Sequence, residues 1–391
     1  MRVAFFTDSF EEANGVATLS RELCEFASRE DLPLLCVHSG DRKQETHQGS
    51  VTTIELRRSP IAIPVDYELR CDLLLNRHRR WVTERVRDFK PDLVHITGPG
   101  DFGVLGFWVA HTLRVPLVAS WHTNLHEYMR RRLEKWFAWL PAGWRDRVAR
   151  TGENLSLNAL LRFYRLPRFL MAPNESMIQL LRERIGRPAF LMPHGVDSDM
   201  FSPARREAGS GPFSIGYVGR LTPEKNVRLF ADLEQSLVAR GRRDFRLLLI
   251  GAGSESEWLR HNLQFVSLPG IVRGEALAQS FASMDVFVFP SRTDTFGLVL
   301  LEAMASGVPV IVDPETGRHV GIEHGEEGFL AADLEAVATS ILRLMDNQAL
   351  RRSMSAQARR FACSNSWCGV FHRVYEIYEQ GMKECGLPRR A

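Results

Sequence analysis

The sequence lacks the features that would place it outside the ordinary globular class. No apolar run reaches the 18 or so residues that a membrane-spanning helix needs. The first apolar run, Val3–Phe6, ends at once in Thr7 and Asp8, which is too short for a signal peptide. Low-complexity segments are absent, and the net charge of +3 is too small to indicate nucleic-acid binding by itself.

Cysteine is scarce, and its spacing excludes a zinc motif. None of the six cysteines forms a C-x2-C pair, and none stands at zinc-ligand spacing from histidines. They are Cys24, Cys36, Cys71, Cys363, Cys368 and Cys385. We therefore expect reduced thiols and a cytoplasmic protein.

The length of the chain indicates more than one domain. Its 391 residues exceed a typical single core, and 45% apolar with 25% charged residues is an ordinary globular composition. Short apolar runs at Val3–Phe6, Leu34–Val37, Leu93–Ile96 and Leu117–Ala119 alternate with helical patterns. Alternation of this kind predicts βαβ units and a parallel sheet.

The same alternation begins again in the second half of the chain. Its apolar runs are Ser214–Val218, Arg246–Ile250, Val286–Phe289 and Val308–Val312. The polar stretch Ser202–Pro212 has the composition of a linker. We predict a first Rossmann-like domain over residues 1–195, a second over 196–365, and a terminal helix in 366–391 that packs back on the first.

Ligands of open α/β sheets bind at the carboxyl ends of strands, so the loops after strands deserve the closest reading. Gly219 and Arg220 follow a predicted strand, and Lys225 lies five residues after Arg220. Two cations at one strand end suit a diphosphate. The alternative is a solvated pair of surface cations.

The loop from Asp294 to Glu302 follows another predicted strand. A helix starting near Phe296 or Gly297 would offer free N–H groups to an anion. Glu302 falls inside a strongly apolar helix, where a carboxylate is costly to bury unless it is paired. A ribose diol would satisfy it, and so would a structural salt bridge.

Two further strand-end groups stand in the first half. Gly15, after Asn14, would let a phosphate approach the backbone at a helix start, although a plain helix start explains it equally. His122 follows the run that ends at Ala119 and can hydrogen-bond a sugar hydroxyl or a phosphate. His122 and His126 are at i, i+4, but no glutamate follows His122, so we expect no metal there.

Together these residues resemble the retaining GT-B glycosyltransferases of family 4. The resemblance is carried by the carboxylate-x7-Glu spacing of Asp294 and Glu302 and by the Arg/Lys pair Arg220 and Lys225. The segment Pro193–Asp197 is similar to the family's interdomain connection. The resemblance covers nearly the whole chain, and it implies two doubly wound Rossmann-like domains that face each other across a cleft.

The family's roles carry over residue by residue. Arg220 and Lys225 would stabilise the departing diphosphate, Glu302 would bind the ribose, and Asp294 would hold hydroxyls of the donor sugar. His122 would line the sugar on its acceptor side. The remaining donor contacts would come from Gly15, Gly219, Thr295, Phe296, Gly297 and Leu298.

The sequence departs from the family pattern at two places. Asp294 stands where members more often have glutamate, and Asn14 precedes Gly15 where many have a second glycine. The resemblance implies retention of configuration by front-face attack, in which the leaving phosphate helps to deprotonate the acceptor. It also implies that cations replace a metal, so no cofactor is expected beside the nucleotide-sugar substrate.

Basic segments with tryptophans indicate how the acceptor is reached. Residues 77–90 carry six Arg or Lys against two acids, and residues 128–150 carry seven against two. Leu74, Trp81 and Phe89 share a predicted helix face opposite Arg79, Arg80 and Arg87. The residues assigned to a membrane or acceptor surface are Arg79, Arg80, Trp81, Arg131, Trp136 and Trp139. Such segments suit an anionic membrane and a lipid acceptor, or equally an ordinary helix with packed aromatics.

The resemblance favours hexose transfer, with mannose from GDP-mannose preferred, to a lipid or glycan hydroxyl, by a cytoplasmic enzyme at the inner face of a membrane. A UDP-sugar-dependent glycolipid synthase and a non-catalytic sugar-nucleotide or membrane-binding protein remain alternatives. A dehydrogenase is disfavoured, because Gly251 and Gly253 lack the third glycine of a dinucleotide site.

Overall fold

The computed structural model describes residues 1–12, 14–64, 70–72, 74–122, 141–206, 211–291 and 297–387, with single positions 133, 136, 137 and 139. The chain divides into two compact units. The first comprises Met1–Pro193 and Phe371–Ala391, and the second comprises His194–Val370.

The first unit is built on an eight-stranded sheet. The strands of this unit are β1 (Val3–Phe6), β2 (Leu34–Gly40), β3 (Gln44–Gln48), β4 (Val51–Arg57), β5 (Ile63–Pro64), β6 (Arg70–Cys71), β7 (Leu93–Ile96), β8 (Leu117–Ser120), β9 (Phe169–Ala172) and β10 (Ala189–Leu191). The sheet order is β10-β9-β8-β7-β1-β2-β4-β3, and β5 pairs separately with β6. Apart from the antiparallel edge strand β3, the pairs in this sheet are parallel.

Two of the helices described in the first unit begin at a capping asparagine. The helices of this unit are α1 (Gly15–Arg29), α2 (Arg79–Phe89), α3 (Asp101–Leu113), α4 (Ala142–Phe163) and α5 (Glu175–Ile185). The Asn14 side chain accepts a hydrogen bond from the Ala17 N–H at 3.0 Å, and Asn174 accepts one from Met177 at 2.9 Å. α3 is apolar because it lies against the sheet through Phe102, Leu105 and Val109, all buried.

The second unit repeats this plan with a wholly parallel six-stranded sheet. Its strands are β11 (Phe213–Val218), β12 (Phe245–Ile250), β13 (Val266–Gly270), β14 (Val286–Phe289), β15 (Val310–Val312) and β16 (Gly328–Leu330). Their order is β13-β12-β11-β14-β15-β16. The helices are α6 (Leu229–Ala239), α7 (Ser256–Asn262), α8 (Gly274–Ala282), α9 (Leu298–Ala305), α10 (Pro314–Val320), α11 (Leu334–Asp346) and α12 (Gln348–Ser364).

A last helix, α13 (Trp367–Glu384), passes from the second unit into the first. Its part in the first unit buries Phe371, Val374, Tyr378 and Met382, which recur every three or four residues and so share one face. The Phe371 ring lies 5.5 Å from that of Phe26, centroid to centroid. The end of the chain therefore completes the core of the first unit.

The polar stretch predicted as a linker lies inside the second unit. Arg205 pairs with Glu275 at 2.5 Å, and Arg206 pairs with Asp285 at 3.0 Å. Residues 207–210 lie outside the described part. The linker interpretation of this stretch is therefore wrong for residues 202–206, because the arginines that make it polar attach it to α8 and to the start of β14.

Each sheet reverses its strand order next to its first strand. In the first unit β1 lies between β2 and β7, and in the second unit β11 lies between β12 and β14. The loops that follow such a pair of strands diverge to opposite faces and leave a crevice at the carboxyl edge. The switch points β1/β7 and β11/β14 are therefore the places to look for a site.

No helix within the described ranges is both long and apolar enough to cross a membrane.

Candidate functional site

The turn after β11 requires glycine. Gly219 has φ of +155°, and a Cβ there would lie 2.7 Å from the Tyr217 hydroxyl oxygen. That hydroxyl is held in place because it donates to the Arg220 carbonyl oxygen at 3.0 Å. Gly219 and Tyr217 thus fix the direction in which the chain leaves the strand.

The two predicted phosphate-binding cations lie on the loop that this turn starts. Lys225 is buried, with 8% of its surface exposed, at the end of the 3-10 turn Pro223–Lys225. The Arg220 guanidinium is 37% exposed and lies 3.7 Å from the Glu224 carboxylate. An ion pair of that length and exposure is weak.

The loop after β12 supports the first loop through its backbone. The Leu221 N–H donates to the Ala252 carbonyl at 3.0 Å, and the Glu255 N–H donates to the Leu221 carbonyl at 2.9 Å. A Cβ at Gly251 would overlap the Gly219 carbonyl oxygen, and one at Gly253 would overlap that of Leu221. These glycines permit close packing of two loops, which explains them without a dinucleotide.

Glu302 lies on α9, which follows the neighbouring strand β14. Burial raises the pKa of its carboxyl group to about 7. The residue as a whole is partly buried, and within the described part of the chain its side chain has no hydrogen-bond or ion-pair partner. A desolvated carboxyl group without donors is destabilised as an anion, and a ligand that supplies two hydroxyl donors would relieve that cost.

The start of α9 is capped by glycine rather than by a side chain. Gly297 has φ of +76° and precedes Leu298, the first residue of the helix. Asp294, Thr295 and Phe296 lie outside the described residues. The predicted helix start near residue 297 agrees with the observed one.

In the first unit, Gly15 is the first residue of α1 and follows the capping Asn14. The Asn14 side chain is engaged in holding the helix start, since it accepts from Ala17. The phosphate contact assigned to Gly15 stays a prediction.

His122 lies just after β8 and is joined to a buried chain of hydrogen bonds. Its Nε2 is 2.6 Å from the Ser120 hydroxyl oxygen, which is 2.9 Å from His95 Nε2. His95 Nδ1 is in turn 2.7 Å from the hydroxyl oxygen of Tyr378. The sequence indicated His122 as a strand-end residue but gave no sign of His95, which is hidden inside the apolar strand β7.

The switch point of the first unit also holds two carboxyl groups that motif reading missed. Asp8 follows β1, and Asp101 begins α3 after β7. Asp8 accepts a hydrogen bond from the Phe102 N–H at 2.9 Å, and Arg58 lies 3.7 Å from Asp101. Burial and the neighbouring Asp101 raise the pKa of Asp8 to about 8, so this carboxyl group holds a proton at neutral pH. In the sequence, Asp8 could have been identified as a candidate site residue because it follows Thr7 at the end of a predicted strand.

The residues predicted for a membrane surface differ in how far their side chains are exposed to solvent. Trp136 and Trp139 are 65% and 77% exposed, whereas Trp81 packs against the core of the first unit. The Lys43 ammonium covers the Trp81 ring at 4.2 Å from its centroid. Arg79 and Arg80 are exposed, and Arg131 lies outside the described residues.

The helix face predicted from residues 74–89 is partly wrong. Leu74 precedes the 3-10 turn Leu75–His78 and is 49% exposed, because α2 begins only at Arg79. Phe89 packs on the core as Trp81 does, and Arg87 is exposed. This segment therefore presents arginines, not aromatic rings, to solvent.

Comparison with known proteins identifies the class. Residues 13–200 match the family described as Glycosyltransferase Family 4, and residues 212–347 match that described as Glycosyl transferases group 1. The Anabaena HepE structure in complex with UDP and glucose superposes with a TM-score of 0.66 at 17% identity, over 97% of this chain and 99% of that one. The fold is GT-B, as predicted.

Named relatives agree with this assignment. A GDP-mannose-dependent alpha-mannosyltransferase of Mycolicibacterium smegmatis is 32% identical over 75% of each chain. One of Corynebacterium glutamicum is 28% identical over 96% of this chain and 86% of its own. The sulfoquinovosyl transferase SQD2 of Arabidopsis thaliana is 31% identical over 78% of this chain and 60% of its own. The chain is a glycosyltransferase. It belongs to glycosyltransferase family 4.

Proposed function

We propose that this enzyme transfers mannose from GDP-mannose to a hydroxyl group of a lipid or glycan acceptor, with retention of configuration. The half-buried carboxyl group of Glu302, which has no partner among the described residues, carries the proposal, because its helix follows β14, the strand next to the one that ends in the cation-bearing loop. Two bacterial relatives that match most of the chain are named as GDP-mannose-dependent alpha-mannosyltransferases, which favours this donor.

The donor would be held through its ribose and its diphosphate. Glu302 would accept hydrogen bonds from the ribose diol, and Lys225 and Arg220 would neutralise the diphosphate. Gly219 permits the backbone of that loop to come close, and Gly297 and Leu298 offer N–H groups at the start of α9. Asp294, Thr295 and Phe296 would complete the sugar and phosphate contacts.

Catalysis would rest on charge stabilisation and orientation. Cations that neutralise the departing diphosphate take the place of a metal ion, so we propose that the enzyme needs none. In front-face attack the leaving phosphate accepts the acceptor proton, and no separate acid/base pair of side chains is required. His122 would contact the donor sugar.

Thermal shift with GDP, UDP, ADP and their sugar conjugates tests the donor site. We expect stabilisation by GDP and GDP-mannose in the wild type and its loss in Glu302→Ala. Glu326→Ala is the matched control, because Glu326 is an exposed glutamate of the same unit. Failure of every nucleotide to stabilise the wild type would contradict the donor site and favour a non-catalytic protein.

A UDP-sugar-dependent glycolipid synthase is the second candidate. Two observations favour it: the matched structure of HepE contains UDP and glucose, and SQD2 is a sulfoquinovosyl transferase. Stabilisation by UDP and not by GDP would establish this alternative. Release of nucleotide diphosphate on adding an acceptor would separate either enzyme from a binding protein.

Exposed tryptophans of the first unit support a membrane-associated acceptor. Trp136, Trp139 and Trp144 are each more than 60% exposed and share a segment rich in arginine. Tryptophans and arginines together bind anionic bilayer surfaces. We expect flotation with vesicles of phosphatidylglycerol but not of phosphatidylcholine alone, and loss of flotation in Trp136→Ala/Trp139→Ala. Leu166→Ala, a change at another exposed apolar residue, should float normally.

A further inference from the structure

Four buried side chains from four parts of the first unit form one hydrogen-bonded relay. Tyr378 on α13 contacts His95 on β7, His95 contacts Ser120 at the end of β8, and Ser120 contacts His122. Tyr378, His95 and Ser120 have no exposed surface, and His122 is 6% exposed. The Phe5 ring closes one side of His95, with centroids 5.2 Å apart. Tyr378, His95 and Ser120 therefore exchange no hydrogen bonds with bulk water.

Such a relay has few ways to distribute its protons. Burial lowers the pKa of His95 to about 3 and that of His122 to about 4, so both imidazoles are neutral at pH 7. A neutral imidazole has one N–H donor and one acceptor nitrogen. Among the described residues the Ser120 hydroxyl group contacts only these two imidazoles, so it donates to one of them and accepts from the other, and the whole relay runs in one direction or in the other.

Tyr378 decides the direction. Within the described part of the chain, His95 is the sole hydrogen-bond partner of the Tyr378 hydroxyl group. If His95 donated to that oxygen, the phenolic proton would be buried without an acceptor, which is unfavourable. The tyrosine therefore donates to His95 Nδ1, His95 Nε2–H donates to Ser120, and Ser120 donates to His122 Nε2.

We propose that Tyr378 is a positioning residue that fixes His122 as the Nδ1–H tautomer, so that His122 presents a hydrogen-bond donor. A fixed donor recognises an oxygen acceptor, either a sugar hydroxyl oxygen or a phosphate oxygen, and it cannot act as a base. The functional half of this inference rests on the proposed function, in which His122 contacts the donor sugar. The tautomer itself does not depend on that function.

Imidazole nitrogen NMR on the full chain, with ¹⁵N-labelled histidine at pH 7, tests the tautomer directly. We expect His95 with its proton on Nε2 and His122 with its proton on Nδ1, assigned with His95→Gln and His122→Gln. In Tyr378→Phe we expect His122 to become a mixture of tautomers. Tyr375→Phe is the matched control, because Tyr375 lies one turn away on α13 and its hydroxyl makes no hydrogen bond within the described residues.

The wild-type spectrum decides the matter even if a variant fails to fold. A proton on His122 Nε2, or an unchanged His122 tautomer in a folded Tyr378→Phe, would overturn the inference. For transfer activity we expect kcat to fall by about three- to tenfold in Tyr378→Phe while the donor KM stays within about twofold. Unchanged kcat with an altered tautomer would contradict the role of His122 in transfer, whereas absence of nucleotide binding by the wild type would contradict the proposed function alone.

Discussion

In the proposed donor site, the carboxyl group of Glu302 makes donor binding depend on pH. Its pKa of about 7 is raised by burial, and ribose hydroxyls donate best to the ionised form. We therefore predict that affinity for the nucleotide diphosphate increases as pH rises to about 7, by up to about tenfold per unit, and levels off above it. Isothermal titration across this range measures it.

The nucleotide phosphate titrates in the same range, with a second pKa of about 6, so a control is needed. Glu302→Gln retains the shape of the side chain and cannot ionise, and it should remove the part of the pH dependence that belongs to the protein. Identical pH profiles in the two proteins would show that Glu302 does not meet the nucleotide.

Asp8 couples protonation to folding. Its folded-state pKa of about 8 is far above its ordinary value of 3.8, so the folded form keeps a proton that the unfolded chain loses. Stability contributed by this group is complete below pH 4 and is lost as pH rises to about 8. Asp8→Asn, which resembles the protonated form, should raise the free energy of unfolding at pH 8 by on the order of 1–3 kcal/mol and change it little at pH 4.

Urea unfolding at the two pH values measures this effect. Asp88→Asn changes an exposed aspartate of the same unit and should give equal shifts at both. A stability of Asp8→Asn that follows the wild type at every pH would show that Asp8 ionises normally in the fold.

At the scale of elements, α3 lies so close to the sheet that only glycine fits at its contact. A Cβ at Gly103 would overlap the Gly98 carbonyl oxygen, and one at Gly106 would lie 2.7 Å from Ile96 Cγ2. We predict that Gly103→Ala destabilises the protein by about 1–3 kcal/mol and displaces Asp101 from Asp8.

Thermal unfolding measures the loss, and Gly143→Ala provides the comparison. No atom of the described residues lies within 4 Å of a Cβ at Gly143, so alanine there should be neutral or stabilising by up to about 1 kcal/mol. Equal stability of the two variants would mean that α3 can move away from the sheet at no cost.

Elements were predictable where burial leaves a local pattern. The runs Val3–Phe6 and Leu93–Ile96 are wholly buried strands, because parallel strands are covered on both faces. β3 was not predicted, since Gln44–Gln48 is polar and mostly exposed and is a strand only through its ladder with β4. The positions of Gly219 and Glu302 could also be predicted, because each lies a short distance after a buried strand in the sequence.

Contacts between distant residues were not predictable. Tyr378 and His95 are 283 positions apart, and Asp8 reaches the Phe102 N–H across 94. No spacing rule joins such pairs, because the topology of the sheet and the return of α13 bring them together. The sequence could therefore indicate His122 but not the residues that orient it.

At the scale of the whole molecule, one unit is continuous in sequence and the other is not. Residues 194–370 contain the core around Tyr217 and Phe287. Residues 1–193 lack the apolar face of α13. We predict that 194–370 unfolds cooperatively when made alone, that 1–193 alone is unfolded or aggregated, and that joining 367–391 to 1–193 by a flexible linker restores folding.

Circular dichroism during heating of the three fragments tests this. Cooperative unfolding of 1–193 alone, at the temperature of the linked fragment, would show that α13 is dispensable for that core.

The position of α13 also sets the order of events on the ribosome. Residues 1–193 of the first unit are synthesised before the second unit, yet the helix that completes the first unit emerges only after the whole second unit. At a synthesis rate of about 5–20 residues per second, the surface around Phe26, His95 and Phe169 remains uncovered by α13 for on the order of ten seconds or more. We infer that this apolar surface stays uncovered during that interval, and that the second unit can complete its fold before the first.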